Sequence, residues 1–376
     1  MTATTSPSRV SALTGLRAVA ALLVVGTHAA FATGKLTHGY VGAIYAHLEV
    51  GVAIFFVLTG FLLFRPWVRA AVSGTATPDL GRYARHRFRR IVPAYAVTVL
   101  AVFALYSVFT PGPNPGQTWY GLLRYLTFTQ IYTDDYLITL LHTGLSQMWS
   151  LAVEVCFYAV LPGLAYVVLR RQWRPRRALA VLAALAAITP LWLSCADLLP
   201  NSAGMWLPAH IAWFAGGMAL AVLEATGARC HANAAVGLAI ALYLAVSAQD
   251  TTSAPVTKSL MYAAIAMLAV APAALGSKGW YERLLSNRPL VWLGDISYEV
   301  FLLHVPIMAV TMYLVLRWPL FTGSLPGLIV ATLALTIPAA WALHRRTVSR
   351  TPTPAAPEAT PTARDPGVIP SLSPQH

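Results

Sequence analysis

The chain has 376 residues, of which 57% are hydrophobic and 10% charged, with a formal net charge of +13. A soluble domain carries about a quarter charged residues, so this composition excludes a single water-soluble core and requires lipid to cover much of the apolar surface. The positive charge does not point to nucleic acid, because the basic residues fill short gaps between apolar runs and do not line one polar face.

Apolar runs long enough to span a bilayer, roughly 20 residues each, recur along the chain. They predict about ten transmembrane helices, over 10–31, 47–66, 91–110, 148–169, 178–199, 208–225, 234–248, 259–276, 291–316 and 325–344. The first run, Val10 to Phe31, lacks a small-residue cleavage site and reads as a retained helix. The loop from Pro111 to Gln147 opens Pro-Gly-Pro-Asn-Pro-Gly, which cannot be helix, and its aromatic middle, Thr118 to Tyr132, is expected along the membrane interface. Arginines gather between alternate spans, at Arg82, Arg85, Arg87, Arg89 and Arg90 and again at Arg170, Arg171, Arg174, Arg176 and Arg177. The opposite segments hold only Lys35, Arg124, Lys258 and Arg317. That asymmetry predicts an even number of spans with both termini cytoplasmic. The expected fold is an all-α polytopic membrane protein, with a transmembrane domain over 1–346 and a disordered Pro-rich cytoplasmic tail over 347–376. Cys156, Cys195 and Cys230 form no CxxC pair and no metal-like spacing, so they read as small buried hydrophobes and no metal is expected.

Ionisable residues inside lipid are costly and mark function by default. The first span holds Arg17 and His28. Eleven residues is about three turns, which puts both on one face and about 16 Å apart along the axis. Alternatively, Arg17 snorkels to headgroups and His28 is a satisfied interfacial histidine. The fourth span opens Gln147-Met-Trp149-Ser150-Leu-Ala-Val-Glu154, placing a carboxylate inside an apolar helix. Such a group needs a cationic or hydrogen-bonding partner. A histidine beside it would form a triad-like arrangement; the plainer reading is a helix-start carboxylate at the interface. The run Arg82 to Tyr95 reads as a basic loop beside a membrane entry, suited to anionic lipid or to phosphate. Near the end, Asp295, Ser297, Tyr298, Glu299 and His304 share one segment.

The order of these elements resembles the membrane acyltransferase-3 family. The resemblance is carried by Gly15-Leu-Arg17 with His28, by Gly51-Val-Ala-Ile-Phe-Phe-Val-Leu-Thr59-Gly-Phe-Leu-Leu63, and by Arg87-Phe-Arg-Arg90 with Ile91-Val-Pro-Ala-Tyr95. It continues through Trp149-Ser-Leu-Ala-Val-Glu154 with Phe157-Tyr158, and Ser297-Tyr298 with Phe301-Leu-Leu-His304. Two positions depart from the family pattern: Thr59 stands for a serine and Phe301 for the commoner tyrosine.

The resemblance implies a bacterial plasma-membrane enzyme that takes an acyl group from acyl-CoA, a co-substrate, with no permanently bound cofactor. It implies His28, Glu154 and Arg17 as catalytic residues, Arg87, Arg90 and Arg17 as donor-binding residues, and Trp149, Ser150, Tyr298 and His304 as substrate-lining residues. The acceptor is a hydroxyl of a glycan, glycolipid or antibiotic such as a macrolide, and the tail is too short for an added esterase-like domain. The alternative is a transporter or flippase, which also needs many helices and intramembrane charge. No GxSxG elbow, P-loop or dinucleotide fingerprint is present.

Overall fold

A computed structural model describes residues 7–132, 141–170, 173–249 and 254–348; the expected tail, apart from its first two residues, lies outside them. Among the described residues every regular element is helical and none is a strand. Among the described residues, nine helical stretches are long and apolar enough to cross a membrane, and Ala232–Ser247 is a shorter apolar helix. This matches the ten spans read from sequence, including the short one near 234–248. The protein is a multi-pass membrane protein.

The helices are α1 (Pro7–Ala32), α2 (Gly39–His47), α3 (Val50–Ser73), α4 (Leu80–Tyr106), α5 (Trp119–Leu126) and α6 (Trp149–Leu169). They continue as α7 (Pro175–Ala186), α8 (Ile188–Ser194), α9 (Leu207–Ala225), α10 (Ala232–Ser247) and α11 (Pro255–Ala274). The chain closes with α12 (Trp280–Leu285), α13 (Arg288–Asp295), α14 (Ser297–Val310), a π turn (Thr311–Val315) and α15 (Leu325–Val348).

Helix α3 is the centre, packed by α1, α6, α9 and α11. Lipid supplies no hydrophobic drive for helices to associate, so close backbone approach must do it. Gly60 and Gly217 provide that approach, since a Cβ on Gly60 would overlap the Phe214 carbonyl and one on Gly217 the Val57 carbonyl. At the other end of the same pair, Arg65 donates to Glu224 through Nε at 2.7 Å and Nη2 at 2.5 Å. A forked guanidinium–carboxylate pair fixes orientation as well as distance.

Two boundaries differ from the sequence reading. The basic run Arg82 to Arg90 is helix and not loop, because Asp79 caps α4 by accepting from the Arg82 backbone N–H at 2.7 Å. A hydropathy window sees only the apolar half of α4 and starts it eleven residues late. The predicted span 291–316 is three pieces, broken at Ile296 and again by the π turn.

Candidate active site

A cavity of about 160 Å³ lies among α1, α3, α4, α6 and α14. Arg17 reaches it from α1, and Arg87 and Arg90 from α4, where a spacing of three residues puts both on one face. Glu154 enters from the second turn of α6, with Tyr158 one turn further on. The carboxylate accepts from Thr59 Oγ1 at 2.7 Å and from the Tyr158 hydroxyl at 2.5 Å. Arg17 also lies within electrostatic reach of Arg90, Glu154 and Glu299.

Three guanidiniums therefore face one carboxylate across this cavity. The excess is positive and suits an anion. Arg87 Nε sharpens the point, because it is buried and has no hydrogen-bond partner among the described residues. An unpaired buried donor costs about 1–3 kcal/mol, more when charged, and an anionic oxygen would recover it. Tyr298 lines the same cavity and donates to the Ile91 carbonyl at 3.0 Å, tying α14 to α4. Ser150 lines it too, donating to the Gln147 carbonyl at 3.2 Å. Trp149 is not a lining residue; its ring packs against His210 at 5.1 Å between centroids.

His28 is not at this cavity. Its Nδ1 lies 2.8 Å from the Val24 carbonyl, one turn back on α1, and 3.3 Å from His304 Nε2. His304 Nδ1 lies 2.8 Å from the Phe301 carbonyl. Carbonyls only accept, so each Nδ1 carries its hydrogen. His304 Nε2 then accepts a branch of the His28 Nδ1–H, and His28 Nε2 keeps a lone pair with no hydrogen-bond partner among the described residues. His304 is fully buried, whereas His28 retains partial exposure. The hydrogen bonds fix the tautomer of both rings and leave His28 Nε2 able to accept a proton.

Phe301 stands between the two groups. It lines the arginine cavity, meets Phe55 edge-on at 6.0 Å, and meets the His304 ring at 5.7 Å between centroids. Gln147 is buried beside it, donating to the Leu302 carbonyl at 2.9 Å while its Oε1 has no partner among the described residues.

The structure brings some of the singled-out residues together and sets others apart. Arg17, Arg87, Arg90, Glu154, Ser150 and Tyr298 converge on one cavity. The expected His28–Glu154 contact is replaced by His28–His304, because the carboxylate sits at the arginines' level and not the histidine's. Thr59 and Tyr158 were visible in the motifs only as a retained hydroxyl and an aromatic. The motif spacing alone did not reveal that both serve Glu154.

A family model described as an acyltransferase domain matches residues 10–345. Peptidoglycan O-acetyltransferase OatA of Listeria monocytogenes is 25% identical over 340 residues, covering 83% of this chain and 51% of that protein. Acyltransferase MdmB of Streptomyces mycarofaciens is 26% identical over 393 residues, covering 93% of this chain and 97% of that protein. Exopolysaccharide production protein ExoZ of Rhizobium meliloti is 33% identical over 149 residues, 39% of this chain and 40% of that protein. The chain therefore spans about half the length of the first relative and nearly all of the second. No solved structure matches the chain.

Proposed function

Since the chain belongs to the acyltransferase family whose model it matches over residues 10–345, we propose that it is an O-acyltransferase moving an acyl group from acyl-CoA to a hydroxyl. The acceptor is a carbohydrate, a glycolipid or a secondary metabolite such as a macrolide. A peptidoglycan O-acetyltransferase and an exopolysaccharide production protein among its relatives support the carbohydrate class. The membrane is the bacterial plasma membrane, and the arginine-rich ends of the helices face the cytoplasm.

The observation that carries the reading is the cavity's three guanidiniums against one carboxylate, with a free imidazole nitrogen beyond it. Arg87 and Arg90 hold donor phosphates, for which planar guanidinium forks are suited. Arg17, lining the same cavity, adds to the positive charge that holds the donor. Glu154 keeps the guanidiniums apart and oriented; this role replaces the imidazole-orienting one that the sequence suggested.

His28 Nε2 removes the acceptor hydroxyl proton as that oxygen bonds to the thioester carbon. The C–S bond then breaks, and the imidazolium returns the proton to the departing thiolate. No nucleophilic side chain is needed and no acyl-enzyme forms. His304 acts through His28, accepting from Nδ1–H and steadying the ring as charge appears on it.

The test is thiol release from acetyl-CoA by purified protein in detergent, with and without a carbohydrate acceptor. Acceptor-dependent release that disappears in His28→Ala supports the reading. Acceptor uptake into proteoliposomes with no thiol release would assign the protein to transport.

A further inference from the structure

We propose that Phe55 and Phe301 form an aromatic barrier separating the arginine cavity from the histidine pair, opened only by the donor's acyl-bearing arm. The inference rests on the acyl-transfer reading for its purpose but not for its geometry. Both rings line the arginine cavity, edge to face at 6.0 Å between centroids. Phe301 is 6% exposed, and the His304 ring is the next group beyond it, at 5.7 Å. His304 in turn meets His28 at 5.0 Å between ring centroids, while His28 itself does not line the cavity. On this reading a donor anchored by its phosphates at Arg87 and Arg90 brings its thioester to His28 Nε2 only when the rings part.

The barrier has a chemical use. Water reaching a thioester beside a general base attacks the carbonyl carbon, the C–S bond breaks, and free acid and thiol result in place of transfer. Rings that close around the arm as it passes keep bulk water from the thioester and the base, which suppresses this loss. Gln147 supports a polar arm at this level. Its side-chain oxygen is buried without a partner among the described residues, next to the helical backbone at Leu302, and the amide N–H groups of an acyl-CoA arm are donors that fit such an acceptor. The rings also set how wide an acyl group passes, which makes residues 55 and 301 determinants of donor choice.

The experiment reads accessibility first and chemistry second. His28→Cys is made in a background in which Cys156, Cys195 and Cys230 are replaced by serine. The protein is placed in proteoliposomes, and a membrane-impermeant thiol reagent is added on the face where α3 ends at Ser73. With both phenylalanines intact, the introduced thiol reacts slowly; adding Phe301→Ala accelerates modification at least tenfold, and Phe301→Tyr restores the slow rate. Phe55→Ala, acting from the opposing helix, gives the same acceleration if Phe301→Ala does not yield folded protein. Equal labelling rates with and without the rings overturn the barrier.

The second measurement uses His28-containing protein and acyl-CoA without acceptor. Phe301→Ala raises acceptor-free thiol release at least tenfold over the parent protein and shifts preference from acetyl toward octanoyl donors. Phe301→Trp leaves CoA binding within about twofold and lowers transfer at least tenfold. Gated labelling with no thiol release from any acyl-CoA would keep the barrier and sink the acyl-transfer reading. Unchanged leak and unchanged donor preference would sink the barrier's assigned use.

Discussion

The arginine cavity and the histidine pair sit on the same helices and solve opposite problems. The cavity concentrates charge, with Arg17, Arg87 and Arg90 set against Glu154 and hydroxyls from Thr59 and Tyr158. The histidine pair has no carboxylate hydrogen-bonded to it among the described residues; both Nδ1 hydrogens are directed to backbone carbonyls, that of His28 also to the His304 ring. Binding an anion needs fixed positive charge, whereas taking a proton needs an imidazole that starts neutral. In the proposed mechanism, a guanidinium cluster in contact with His28 would oppose the charge that ring acquires. Separation of the two along α1, about 16 Å from Arg17 to His28, lets each environment be built without spoiling the other.

Substitutions at His28, Arg87, His304 and Glu154 probe that division, and a titration at His142 serves as a contrast. The largest effect belongs to His28→Ala, which should cost about 10²–10⁴-fold in transfer rate while donor KM changes little. Full activity in that variant would remove the base from the mechanism. Arg87→Ala comes next: losing a charge-assisted contact should raise donor KM by roughly 10–100-fold, read from initial rates at saturating acceptor. A fall in kcat alone would place Arg87 with the chemistry and erase the distinction between the regions.

His304→Leu should lower kcat by roughly fivefold, the worth of a single hydrogen bond, and change its pH profile, with donor KM unaltered. Asparagine at the same position, able to accept, should recover part of the loss. Glu154→Gln keeps an acceptor for Thr59 and Tyr158, so kcat should stay within about threefold, with donor KM equal or lower. A collapse matching that of His28→Ala would mean that Glu154 moves to the imidazole during the reaction.

The smallest effect lies outside the spans. His142, fully buried, accepts from the Gly144 N–H at 3.1 Å and is surrounded by Gln117, Asn114 and the rings of Phe103, Tyr106 and Tyr125. Burial pushes its pKa down to about 4. The unfolded imidazole titrates near 6.5, so above that pH both states are neutral and nothing is lost. As pH falls from about 6.5 to about 4, the unfolded segment gains the proton first and local stability declines. Hydrogen exchange of residues 141–148 should rise across that window, and His142→Gln should flatten the response.

Much of this organisation was legible from the chain itself. Apolar run lengths placed the spans, and intramembrane Arg17, His28 and Glu154 stood out because lipid makes such residues expensive. The depth of each polar group was less accessible. Glu154 was assigned to His28 on chemical affinity, although the separation along α1 already meant that one carboxylate could serve only one end of the Arg17–His28 stripe. The start of α4 was missed for a related reason, since Asp79 caps a polar, arginine-rich first half that hydropathy does not register. His304 was read as a lining residue, because nothing in a sequence pairs side chains 276 positions apart.

One further consequence comes from how the two ring-bearing helices are held. Phe55 rides on α3, which is clamped against α9 by the Gly60–Gly217 backbone contact and the Arg65–Glu224 fork. Phe301 and His304 ride on α14, a segment interrupted at Ile296 before it and loosened into a π turn after it. The doorway is therefore asymmetric, a fixed jamb facing a hinged leaf. A swing that opens the proposed barrier falls to α14 and carries His304 with it, so it would also alter the contact His304 makes with His28.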